Sequence, residues 1–141
     1  MKAIISIIFI TISSLLFSQS NNSKWIKYKE TKGITISYKY QECIDKKNGL
    51  FQELVFFRFE NNSDKDVEVS FDFLMNYIKQ DEKSSYKSEQ HRKIVLKKNT
   101  IIESNYKENR EFSIFSKFLN YTDKSELNTF DLINLNINPL K

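Results

Sequence analysis

Between residues 67 and 73 the chain alternates strictly, with Val67, Val69, Phe71 and Phe73 on one parity and Glu68, Ser70 and Asp72 on the other. A β-strand sends successive side chains to opposite faces, so this period of two predicts a strand with one apolar and one polar side. The same spacing recurs at Ile34, Ile36, Tyr38 and Tyr40. Between Leu50 and Glu60 apolar residues fill both parities, Val55, Phe57 and Phe59 on one and Leu54 and Phe56 with Arg58 on the other. That density predicts a central strand covered on much of both faces. Turn-forming groups bound these runs, Asp45-Lys46-Lys47-Asn48-Gly49 before the central strand and Asn61-Asn62-Ser63-Asp64-Lys65 after it. The pattern therefore predicts that 50–60 and 67–73 pair as an antiparallel hairpin.

Further along, the stretch from Lys79 to Gln90 has Tyr86 as almost its sole apolar residue and reads as the longest loop. Strand patterning resumes at Ile94 and Leu96 and restarts at Ile101-Ile102. It then places Phe112, Ile114, Ser116 and Phe118 on one parity, and finally Ile133, Leu135 and Ile137 on one face. In 72–80, Phe71, Leu74 and Ile78 also fit a helical stripe, but Val67 and Val69 run into it without a cap, which favours a strand. Seven or eight short strands with no internal repeat predict an all-β fold. The expectation is a single immunoglobulin-like antiparallel β-sandwich over residues 19–141, with Val55, Phe57, Phe59, Val69, Phe71 and Phe73 in its core. A small barrel is the alternative.

Composition agrees with a packed domain: 12 Phe and 7 Tyr stand against 2 Gly and 1 Pro, which excludes collagen-like, linker-rich and disordered chains. The first residues differ from the rest. Lys2 precedes an apolar run through Ile4–Ile12 and Leu15-Leu16-Phe17, shorter than the ~20 residues a spanning helix needs, and polar residues follow from Ser18 to Ser23. This predicts a secretory signal peptide at residues 1–18, cleaved near Ser18-Gln19, and a periplasmic or secreted protein. An uncleaved anchor is the alternative, and Ser6, Thr11, Ser13 and Ser14 weaken it. The formal net charge of +4 is small and rests on 19 Lys and only 3 Arg. Bidentate phosphate and base contacts favour Arg, so nucleic acid is not an expected partner.

One set of residues carries a resemblance. Gly33-Ile34, Ile36, Tyr38 and Cys43, then Asn48-Gly49 and Gln52-Glu53, then Glu60-Asn61-Asn62-Ser63-Asp64 and Val67, Val69, Ser70, Phe71 resemble small secreted β-sandwich proteins of Bacteroidetes with no assigned function. The leader ending in Ser18-Gln19 is similar to theirs as well. The likeness spans about Lys32 to Ile137 and implies a fold more than an activity. Relatives of this kind often carry further Cys residues in the loop corresponding to 80–90, where this chain has none, so Cys43 has no partner within the chain.

Little in the sequence points to catalysis. One Cys and one His exclude an internal disulfide framework and a Cys/His zinc set, and two Gly exclude a glycine-rich phosphate loop. Cys43 and His91 form the one conceivable nucleophile and base pair, as a small hydrolase would need. A packed thiol and a solvated imidazole explain the same residues. Between chains, Cys43 could also form a disulfide in an oxidising compartment. The acids of Asp64-Lys65-Asp66-Val67-Glu68 lack the glycine of a wrapped calcium loop, and no spacing selects Glu42 and Asp45 as a glycosidase pair. No cofactor or metal site is predicted.

For binding, Trp25 and Tyr28 are the candidate residues, because exposed rings stack on sugars or anchor protein partners. Tyr38 and Tyr40 share parity with Ile34 and Ile36 and belong to the core face. Lys83 to Lys98 holds six Lys/Arg residues, suited to weak attraction of an anionic polysaccharide or lipid headgroup, or to guarding a sheet edge. Asn21, Asn61 and Asn120 begin glycosylation sequons of the kind any Asn-rich chain produces. The functional expectation is a noncatalytic binding or structural module of the cell envelope, with an envelope protein or glycan as partner.

Overall fold

The computed structural model describes residues 24–79, 82–88, 90–121 and 125–141, and the expected signal peptide lies outside them. Within them the chain forms nine strands: β1 (Ile26–Thr31), β2 (Ile34–Asp45), β3 (Leu50–Asn61), β4 (Val67–Lys79), β5 (Glu82–Lys87), β6 (Arg92–Leu96), β7 (Ile101–Glu103), β8 (Ser113–Phe118) and β9 (Glu126–Pro139). Every pairing is antiparallel. The first sheet runs β1-β2-β3, with β7 and β8 sharing the far edge of β3. The second is built on β4, with β5 and β6 along one edge and β9 along the other. No helix among the described residues is long and apolar enough to cross a membrane.

Alternation decides which faces meet. Ile34 and Ile36 of β2, Val55, Phe57 and Phe59 of β3, and Val67, Val69, Phe71 and Phe73 of β4 form one buried cluster drawn from both sheets. Phe57 meets Phe73 at 5.0 Å between ring centroids and Phe59 meets Phe71 at 5.4 Å. The two sheets therefore face one another across stacked and tilted rings, a sandwich-like arrangement in which all six expected core residues are buried. Tyr38 and Tyr40 pack against the same cluster. On the opposite face of β3, Leu54 and Phe56 are buried as well, under a second layer containing Cys43, Trp25, Tyr106 and Phe115. The central strand is thus covered on both sides.

The turns explain the local register. Lys32 and Gly33 take φ of 49° and 76° between the paired Thr31 and Ile34, as a two-residue hairpin requires for its strand twist. A Cβ on Gly33 would lie 3.1 Å from the Cβ of Ser63, so both backbone and space demand glycine there. Asn48 bonds Asp45 through its backbone N–H (3.2 Å) and its amide (2.7 Å), closing the β2–β3 turn.

Three expectations are corrected. The runs 50–60 and 67–73 do not pair with each other: β3 belongs to the first sheet and β4 to the second. Both edges of β3 are occupied, by β2 on one side and by β7 and β8 on the other. The 61–66 connection therefore crosses between sheets, and buried Asn61 holds the crossing by donating to the carbonyls of Lys65, Leu96 and Lys97 at 2.8, 3.2 and 3.1 Å. The segment read as a long loop contains β5, which pairs with β4 from Leu74 to Lys79 and brings the strands among the described residues to nine where seven or eight were expected. In β9 the alternation is broken: Asn134 has φ 55° and the ladder with β4 shifts register there, so Leu132 and Ile137 are the buried residues and Leu135 is only partly covered.

Phe57→Ala removes a fully buried ring at the junction of the sheets. It is expected to cost about 3–5 kcal/mol, against about 5–15 kcal/mol of total stability for a domain. Urea denaturation should show a lower midpoint with an unchanged slope, whereas Phe118→Ala, at an exposed position, should shift stability by about 1 kcal/mol or less.

Candidate binding surfaces

The structure separates the proposed nucleophile from the proposed base. In the unbroken β2–β3 register, Ile34 and Ile36 enter the core while Cys43, on the other parity, points away from the second sheet. There it lies under Trp25, Tyr106 and Phe115 with its Sγ 3.7 Å from the Gln41 carbonyl. Burial pushes its thiol up, and Arg110 and Lys39 offset this only in part. His91 sits against Asp72, whose position on β4 alternates with core residues Phe71 and Phe73 and so faces outward from the second sheet. Cys43 and His91 therefore occupy opposite outward faces of the sandwich.

Trp25 and Tyr28 both serve packing. Trp25 covers the Cys43 cluster, and Lys39 and Arg58 lie over its ring at 4.8 and 6.0 Å. Tyr28 is the extra residue of a bulge where Lys27 pairs with Ser37 but Lys29 with Ile36. The bulge carries its ring to Phe130, at 5.9 Å, and its hydroxyl to β9. That hydroxyl donates to the Asp131 carboxylate and accepts from the Leu132 N–H at 3.1 Å. Burial and the Asp131 bond push the phenol up to about 12. A second tyrosine closes the other flank: the Tyr77 hydroxyl on β4 donates to the Phe115 carbonyl on β8 at 2.7 Å.

Asp72 anchors a polar network on the outward face of the second sheet. Its carboxylate accepts from the Asn134 amide at 2.6 Å, from His91 Nδ1 at 2.8 Å and from Lys87 at 3.3 Å. Because an ionised carboxylate only accepts, Nδ1 is the protonated ring nitrogen of His91. The bonds from Asn134 and His91, with the nearby Lys87, hold the Asp72 carboxyl well below its ordinary value, at about 2. Asn134 reaches it because the β9 irregularity falls at that residue. Elsewhere, Asp66 is engaged by Lys97 and by the Lys98 N–H, and Glu68 faces Lys93, so two of the three acids read as a possible calcium loop are turned to separate cations.

Among the described residues, a run of rings and an open cavity are surfaces that could take a ligand. The rings follow one another: Tyr86–Tyr77 at 5.9 Å, Tyr77–Phe115 at 6.4 Å, Phe115–Phe118 at 4.8 Å and Phe118–Tyr121 at 5.5 Å. Tyr86 and Tyr121 are each 56% exposed and Phe118 37%. The run crosses from β5 through β4 to β8 and the segment after it, so both sheets contribute. The cavity has a volume of about 260 Å³ and is lined by Asn76, Ile78, Lys83, Ser85, Asn128 and Thr129, together with Tyr77 and Ser84. The sequence marks Lys83 only as part of a basic stretch and singles out neither surface as a whole. Tyr86, alone among polar neighbours, was the visible signal for the first; the second needs strands distant in sequence to lie side by side.

The lowered Asp72 carboxyl makes stability depend on pH in the acid range. A carboxyl lowered by folding stabilises the native state above its unfolded value of about 3.9, and that contribution is lost as pH falls from about 4 to about 2. Melting temperature measured across this window should fall more steeply for the parent protein than for Asp72→Asn, and parallel curves would refute the network's role. The chain matches no family model, no curated protein and no solved structure.

Proposed function

We propose that this chain is a noncatalytic binding module of the cell envelope, exported through residues 1–18 and built as an immunoglobulin-like sandwich. Its contact surface is the ring run from Tyr86 to Tyr121, and its ligand is an extended glycan chain. The observation that carries this reading is the continuity of five rings with exposed ends. A folded domain seldom leaves a connected aromatic surface open to water unless something covers it. A line of rings suits a ligand that itself repeats at short intervals, as a polysaccharide does, because the C–H face of a sugar packs on a ring while its hydroxyls stay wet. The hydroxyls of Tyr86 and Tyr121 at the two ends add hydrogen-bonding groups. Export is supported by the apolar leader with its single early cation, Lys2, and by the resemblance to secreted sandwich proteins.

Retention on immobilised polysaccharides tests the surface. Tyr86→Ala combined with Phe118→Ala is expected to weaken retention by about tenfold or more, since buried aromatic contacts carry most of an interface's energy. The melting temperature should stay near that of the parent. Undiminished retention by the variant, or capture of protein partners with no polysaccharide retained, would overturn the assignment. For export, the intact mass of the protein recovered from the envelope or medium should correspond to a chain beginning near Gln19. A species still carrying Met1 would support the anchor instead.

A further inference from the structure

We infer that the cavity on the outward face of the second sheet is a second, independent site, and that it takes a single acidic sugar unit. The cavity is centred on one cross-strand row. Asn76 of β4 lies opposite Ser85 of β5 on one side and Thr129 of β9 on the other. Strands stand about 4.8 Å apart, so the row sets three hydrogen-bonding side chains across about 10 Å, the breadth of a sugar ring with its substituents. The Asn76 amide donates to Thr129 Oγ1 at 2.9 Å, which orients the carboxamide before any ligand arrives.

The β9 backbone is shaped at the same place. The ladder steps from Asn76 opposite Thr129 to Tyr77 opposite Leu127, leaving Asn128 as an extra residue off the ladder and within the cavity lining. Bulges of this kind re-aim a side chain beside a site. The next row on the same face holds Lys83 opposite Ile78, with Glu126 on the far side of Ile78. Ile78 gives an apolar floor for the C–H face of a sugar. Lys83 lines the cavity and brings one positive charge to its β5 rim, while Glu126 stands about 10 Å away across two strand spacings. Neutral hydroxyl and carboxamide groups with one cation match a ligand with several hydroxyls and one carboxylate.

The volume of about 260 Å³ lies just under the range usual for drug-sized ligands, which limits the occupant to about one ring. Three other lysines of the basic stretch face carboxylates outside the cavity: Lys87 at Asp72, Lys93 at Glu68 and Lys97 at Asp66.

The test compares methyl β-glucuronide with methyl β-glucoside, which differ only in the carboxylate, by titration into the purified protein with amide signals read by NMR. The glucuronide should shift the signals of Asn76, Ser85 and Thr129 with a Kd about tenfold below that of the glucoside. Lys83→Gln should bring the two within about twofold. Ser85→Ala and Asn76→Ala should weaken both sugars, with melting temperatures confirming that the variants fold. Equal Kd values in the parent protein would overturn the acidic class, and absent shifts at these three residues would overturn the site. Phe118→Ala, in the ring run, should leave the titration unchanged, so failure of the polysaccharide reading and failure of this one are separately visible.

Discussion

Phe57 and Phe59 of one sheet meeting Phe73 and Phe71 of the other is the contact on which the remaining structure depends. Cys43 is the sole cysteine and is free, so no internal covalent link ties the sheets together. What joins them is the removal of large rings from water, worth about 25 cal/mol per Å² of apolar surface, together with the close contacts those rings make. The strict alternation of β4 follows from this: a single register slip would put Phe71 and Phe73 in solvent and Asp72 in the core.

The rims of the sandwich are closed by polar bonds, most of them at least partly buried. Tyr28 ties β1 to β9 on one flank and Tyr77 ties β4 to β8 on the other, each through one hydroxyl and across different sheets. Asn61 performs the same task at the 61–66 crossing with three carbonyl acceptors. Such bonds contribute little each when made, but leaving their partners buried and unpaired costs about 1–3 kcal/mol, so they specify one arrangement of the sheets. With the inward faces filled by the core, the ring run and the cavity are what these sheets leave open to water.

Irregularities in the strands re-aim individual side chains. The bulge at Tyr28 turns a would-be exposed ring into a clamp. The break at Asn134 brings an amide to Asp72, and the extra residue Asn128 shapes the cavity rim. None of the three is visible as a departure from pattern in the residues themselves, because a bulge is defined by what the partner strand does opposite it.

Much of the fold was legible in the residues. Alternation at 34–40 and 67–73 identified the strands and their buried sides, the double-sided density of 50–60 identified the central strand, and Asp45 to Gly49 identified its turn. These signals are local, since side-chain direction in a strand depends only on parity. The sequence by itself therefore determined an all-β chain, its core phenylalanines and the absence of a covalent framework. It did not reveal that β3 and β4 part into different sheets, that Glu82–Lys87 becomes a strand, or that Cys43 and His91 face opposite ways. Only the tertiary structure decided those. β5 has one large apolar residue, Tyr86, and exists because β4 extends beyond β6 and offers a free edge. Likewise the ring run and the Ser85–Asn76–Thr129 row join residues tens of positions apart, and which edges pair is settled by the competition of all strands for the same core, a quantity that no short window of sequence contains.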